Sequence, residues 1–171
     1  MAQDDRIARL ARQIDATEQA ERFLVDADEA ANLRRRGACE LHQLCAEFVS
    51  SINSKLPEPL LELSPPTYAA SGFRANAANL LQISSQGRQM QIAFQAPAPG
   101  VSTEKFPIAY ILEGEVRTYN QRMLDRFDIR SLAIFYCVDA GIGAWRFFDW
   151  RTRGSGLVQQ QLLVSLMEPL F

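Results

Sequence analysis

Over the first third of the chain, apolar residues recur at helical spacing: Ile7, Leu10 and Ile14, then Phe23, Leu24, Ala27 and Ala31, then Ala38, Leu41, Cys45, Phe48 and Ile52. Between Asp4 and Ser54 there is no proline and one glycine, Gly37. A heptad frame places Leu10, Thr17, Leu24, Ala31, Ala38, Cys45 and Ile52 at one position and Gln13, Ala20, Ala27, Arg34, Leu41 and Phe48 at its companion. Small and polar residues interrupt this seam, which argues against a strong autonomous coiled coil. One helix of about 50 residues would be ~75 Å long. It would overhang a compact domain, whose radius of gyration at this chain length is about 15–16 Å. Asp26-Ala27-Asp28-Glu29 has the form of a capping box, with Asp26 as the cap. The spacing therefore predicts two helices, near 4–24 and 27–54, forming an arm or hairpin.

Leu56-Pro57-Glu58-Pro59 ends the helical pattern, because proline cannot continue a helix. Pro65-Pro66 is a second break, and residues 64–78, rich in alanine, serine and proline, read as irregular. From Leu80 the period changes to two. Leu81, Ile83 and Ser85 alternate with Gln82 and Ser84; past the turn Gln86-Gly87-Arg88, Met90, Ile92 and Phe94 alternate with glutamines and Ala93. A third strand carries Ile108, Tyr110, Leu112, Val116 and Thr118 on one face, with Gly114 marking a bulge. Residues 120–129 suggest a helical turn with Met123, Leu124 and Phe127 pointing inward. Ser131–Val138 is almost wholly apolar and reads as a central strand covered on both faces. Asp139–Gly143 turns the chain into a fifth strand, and a helix over 155–168 closes it, stopped by Pro169. The expected fold is a single α+β domain over 1–171. Its N-terminal helices precede a five-stranded antiparallel meander over 80–151, and the helices share one sheet face.

Composition adds only boundaries. A chain of 171 residues with 47% hydrophobic and 22% charged residues is long enough to build a core without a metal or disulfide staple. A net charge of −2 argues against a nucleic-acid binder with a large basic face. Arginine outnumbers lysine sixteen to two, which fits GC-rich coding in a bacterial genome. Cys39, Cys45 and Cys137 are too few and too irregular for a secreted disulfide framework. The acidic, polar opening Met1–Asp5 predicts no signal peptide, and no apolar run has membrane-spanning length. A cytoplasmic location is expected.

Candidate chemistry is sparse. Cys39, His42 and Cys45 are the one cluster of metal-ligand types, but Cys39 and Cys45 sit about 120° apart around a helix, and a fourth ligand would have to come from elsewhere. His42 is the single histidine available to any triad or histidine acid–base step, and mid-helix amides, already bonded, supply no oxyanion hole. Glu113 and Glu115 flank Gly114, and Asp125, Asp128, Asp139 and Asp149 lie near strand ends, where arginines can pair them. Gly141-Ile142-Gly143 and Gly154-Ser155-Gly156 lack the third glycine of a phosphate-binding turn. Arg34-Arg35-Arg36 reads as a solvated helix face. Trp145–Arg151 is the most distinctive segment, mixing aromatics with arginine as binding hot spots do. Tyr110, Tyr136, Trp145, Arg146, Trp150 and Arg151 are accordingly the binding candidates. No catalytic residue, cofactor or metal is expected. The pattern points to a non-catalytic, homodimeric protein that binds another protein, adaptor-like or chaperone-like. Its alternative is a small-ligand-binding protein or enzyme, with a pocket between the sheet and the C-terminal helix lined by Tyr110, Phe135, Tyr136 and Trp150.

Overall fold

The computed structural model describes the backbone of residues 2–23 and 27–171, and side chains over 4–18 and from 27 onward. Helices α1 (Ala2–Phe23) and α2 (Ala27–Asn53) come first. The expected helix break, the Asp26 cap and Leu24 of the heptad frame lie outside the described residues. Seven strands follow: β1 (Glu62–Ser64), β2 (Asn79–Ser85), β3 (Arg88–Gln95), β4 (Tyr110–Tyr119), β5 (Arg130–Asp139), β6 (Ile142–Phe148) and β7 (Ser155–Leu157). The short helix α3 (Gln121–Asp125) lies between β4 and β5, and α4 (Gln160–Met167) follows β7. The strands form one antiparallel sheet in sequence order, so the fold is α+β with a meander.

Two corrections to the sequence reading come from the sheet edges. The meander has seven strands rather than five, because Glu62–Ser64 pairs with β2 and Ser155–Leu157 with β6. Three residues are too few to show a period, so the first was read as loop and the second as the start of the closing helix. That helix begins at Gln160, not at residue 155.

Two tight hairpins have their explanation in backbone dihedrals. Gln86-Gly87 and Ala140-Gly141 all have positive φ and connect strands through two residues, as a type I′ turn requires. The bulge lies between Tyr110 and Leu112, not at Gly114. Gly114 instead allows close strand approach: a Cβ there would collide with the Ala93 carbonyl and the Phe94 side chain. Because of the bulge, Tyr110 pairs with Cys137 on the outer face while Leu112 stays inside opposite Tyr136.

The main core fills the inner face. Leu33, Leu41, Cys45 and Phe48 of α2 pack with Leu81, Ile83, Met90, Ile92, Leu112, Val116, Ile134 and Tyr136 of the sheet, and with Leu163 and Met167 of α4. The closest helix–sheet approach is at Gly37. The Tyr136 ring lies where a Gly37 Cβ would fall at 2.8 Å, and Gly143 clears its other side. The Trp145 indole donates to the Gly37 carbonyl at 2.7 Å, and the Tyr136 hydroxyl donates to Glu40 at 3.0 Å. A smaller cluster, Phe106, Tyr110, Phe135 and Cys137, lies on the outer face.

Phe127, expected inside, is 95% exposed. It ends α3 in the left-handed region at φ 53°, donating to Leu124 O while Asp128 donates to Met123 O. This is a Schellman cap, built on phenylalanine where glycine is the usual choice.

Candidate functional site

The six binding candidates do not converge on one place. Tyr136 and Trp145 are buried parts of the helix–sheet contact, their polar atoms committed to Glu40 and to Gly37. Tyr110 is buried on the outer face, 4.8 Å from Phe135 between ring centroids, and its hydroxyl accepts from the Lys105 backbone N–H at 3.2 Å. Arg146 is half-exposed on the outer face, opposite Phe135. The fifth expected strand, taken to residue 151, stops at Phe148, where β6 ends. Trp150 and Arg151 belong to a turn: Arg151 N–H donates to Asp149 Oδ1 at 2.9 Å, and Arg153 N–H to Asp149 O at 2.7 Å. That first bond leads the influences holding the Asp149 carboxyl below its usual range.

The metal-ligand residue types are likewise dispersed. Cys45 is fully buried, and burial pushes its thiol up to about 12. His42 is 7% exposed: it stacks on Tyr68 and its Nε2 lies 2.8 Å from Pro65 O. A carbonyl only accepts, so Nε2 carries the ring proton. Cys39 is half-buried, and burial followed by the Glu40 charge raises its thiol, the opposite of an activated nucleophile. Among the described residues no three of His, Cys, Asp or Glu are grouped to hold a metal.

Of the Arg34–Arg36 run, Arg34 is structural. Its Nε donates to Ile111 O at 3.1 Å and its Nη2 to Gly100 O at 2.6 Å, fastening the bulge and the loop before β4 to α2. Arg35 and Arg36 remain exposed.

Two surface features stand apart from the core. The first is α1. Among its described side chains none belongs to either apolar cluster, and Ile7, Leu10 and Ile14 are 60%, 55% and 60% exposed on one helical stripe. Leu10 and Ile14 border an open groove of about 700 Å³ whose far wall is Pro107, Ile108 and Val138.

The second is a cavity of about 350 Å³ on the outer sheet face. Cross-strand register sets its floor: Gln95, Glu113 and Phe135 form one row, and Ala93, Glu115 and Ala133 the next. The two alanines leave a depression between larger side chains. Lys105 and Trp150 also line it. Lys105 Nζ lies 3.1 Å from Glu113 Oε1, and Arg117 holds Glu115 at 2.8 Å. Burial pushes the Glu115 carboxyl up, but bonds from Arg117 and Ser131 outweigh it and leave the group below its ordinary value. Each carboxylate is thus engaged by a basic side chain, Glu113 by Lys105 and Glu115 by Arg117, which is not the arrangement of a glycosidase's catalytic pair. Sequence reasoning noted Glu113 and Glu115 but missed Lys105, whose signal was its rarity: it is one of two lysines in the chain.

A strongly apolar pocket of about 450 Å³ lies beside the C-terminal helix, but between α4, α2 and residues 56–61, with only Ser85 and Gln86 from the β2–β3 hairpin. It is lined by Phe48, Ile52, Leu60, Val164, Met167 and Phe171 among others, and by none of Tyr110, Phe135, Tyr136 or Trp150. No helix among the described residues is long and apolar enough to cross a membrane. No protein-family model, curated protein or solved structure matches the chain.

Proposed function

We propose that this chain is a non-catalytic, homodimeric protein-binding module in which α1 is the association arm. One observation carries this reading. A 22-residue helix holds an apolar stripe at Ile7, Leu10 and Ile14 that its own domain leaves more than half exposed. Leaving such a stripe in water forgoes roughly 1.5–3 kcal/mol per large side chain that burial would supply. Amphipathic helices with anchors at i, i+3 and i+7 bind partner helices or grooves through that stripe. The sheet edges are poor alternatives, because β1 and β7 offer only three residues each for strand addition. Absolute mass by light scattering tests the reading, on the full chain and on its Leu10→Glu/Ile14→Glu variant. A dimer that becomes a folded monomer supports it; a monomeric full chain overturns it.

A second reading, small-ligand binding, is favoured by the apolar pocket beside α4, whose volume falls within the range of ligand sites. Saturable uptake of a fluorescent apolar probe, reduced by Ile52→Glu, would support it; absence of uptake would set it aside.

A further inference from the structure

We propose that the outer-face cavity is a binding site for a small organic cation, a primary ammonium or guanidinium carried on a short aliphatic chain. The cavity is built from fixed parts. Phe106 stacks on Phe135 at 4.9 Å and 10°, and the Tyr110 hydroxyl holds the neighbouring Lys105 backbone N–H, so the loop wall is anchored on the sheet. Trp150 stands opposite, 64% exposed, its ring edge-to-face on Phe148 at 4.6 Å. An indole so placed contributes little to the core and presents an aromatic face to a ligand. Ala93 and Ala133 keep the floor clear.

Glu115 is already held by Arg117, so the sign of the ligand follows from Glu113, the lining carboxylate whose ion-pair partner is the Lys105 ammonium. Glu113 is the more sheltered carboxylate, its side chain 16% exposed, while that of Lys105 is 55% exposed. The chain's own ammonium thus shows which chemistry Glu113 accepts, and an exposed lysine is an exchangeable partner. Exposed pairs of this kind are worth about 0–1 kcal/mol. A ligand cation displaces Lys105 into solvent, binds Glu113 through a charge-assisted hydrogen bond and lays its aliphatic stem on Trp150, where cation–π attraction adds to contact. At about 350 Å³ the space suits a small molecule.

The test is a titration of the full chain with butylguanidinium and butylammonium, followed by NMR at the indole N–H resonances. Trp150→Phe assigns the signals. Saturable movement of the Trp150 resonance is expected, with Trp145 unmoved because its N–H is held by Gly37. Glu113→Gln weakens the affinity about tenfold, the loss of one charged hydrogen bond. Lys105→Ala removes the internal competitor and tightens binding, by up to about fivefold. Neutral butylurea produces no saturable shift. The proposal is overturned if neither the wild type nor Lys105→Ala shows saturation. It is also overturned if butylurea binds as well as butylguanidinium, or if folded Glu113→Gln binds undiminished.

Discussion

At the scale of single residues, two sites fix the helix against the sheet in ways that composition conceals. Gly37 lies mid-helix, where replacing glycine by alanine ordinarily stabilises by about 0.8–1 kcal/mol. Here the Tyr136 ring occupies the space an alanine methyl would need. Overpacking of about 1–3 kcal/mol then wins. Gly37→Ala is expected to lower stability in urea unfolding, whereas in a Tyr136→Ala background, with the ring gone, the same change raises it. A second prediction concerns buried thiols. Cys45 and Cys137 titrate near 9.0 when unfolded and at about 12 when folded, chiefly because burial disfavours the thiolate. The folded state therefore holds these protons more tightly, so their contribution is complete below pH 9.0 and lost as pH rises towards about 12. The urea midpoint should hold steady up to about pH 9.0 and fall between there and about 12; a midpoint that rises through that window would contradict the assignment. At neutral pH, iodoacetamide should modify half-buried Cys39 before either of the others.

Among the elements, legibility tracked length and period. Strands β2 and β3 were readable because their inward residues recur every second position over seven residues or more, and β5 because its apolar run is nearly unbroken. The edge strands were not, since three residues carry no period and their pairing is decided by the neighbouring strand. The Gly114 signal was real but ambiguous, because a lone strand glycine marks either a bulge or a close approach. Phe127 misled for a related reason: its hydrophobicity argued for burial, and the cap geometry that turns it outward is a backbone property. In the candidate sites, Trp150 and the Glu113–Glu115 pair could be singled out from the sequence. Their meeting with Lys105 could not, since it depends on a loop folding back over the sheet. Arg34 illustrates how a local motif misleads, because its neighbours are solvated while its own guanidinium bridges α2 to β4 and the preceding loop. Arg34→Ala should cost about 1.5–3 kcal/mol, in line with bonds from a charged donor, while Arg35→Ala stays within about 0.5 kcal/mol. Equal effects of the two substitutions in thermal unfolding would argue against the bridge.

At the scale of the whole molecule, α2 and α4 cover the inner sheet face, and the outer face is left to glutamines, ion pairs and one aromatic cluster. The fold is complete without the described side chains of α1, and it is this surplus that points to association. Light scattering on the full chain and on Leu10→Glu/Ile14→Glu tests that claim most directly. The account predicts twice the 19.2 kDa chain mass for the full chain, and 19.2 kDa with unchanged thermal unfolding of the domain for the variant. A full chain already at 19.2 kDa, or a variant that keeps the doubled mass, would contradict it.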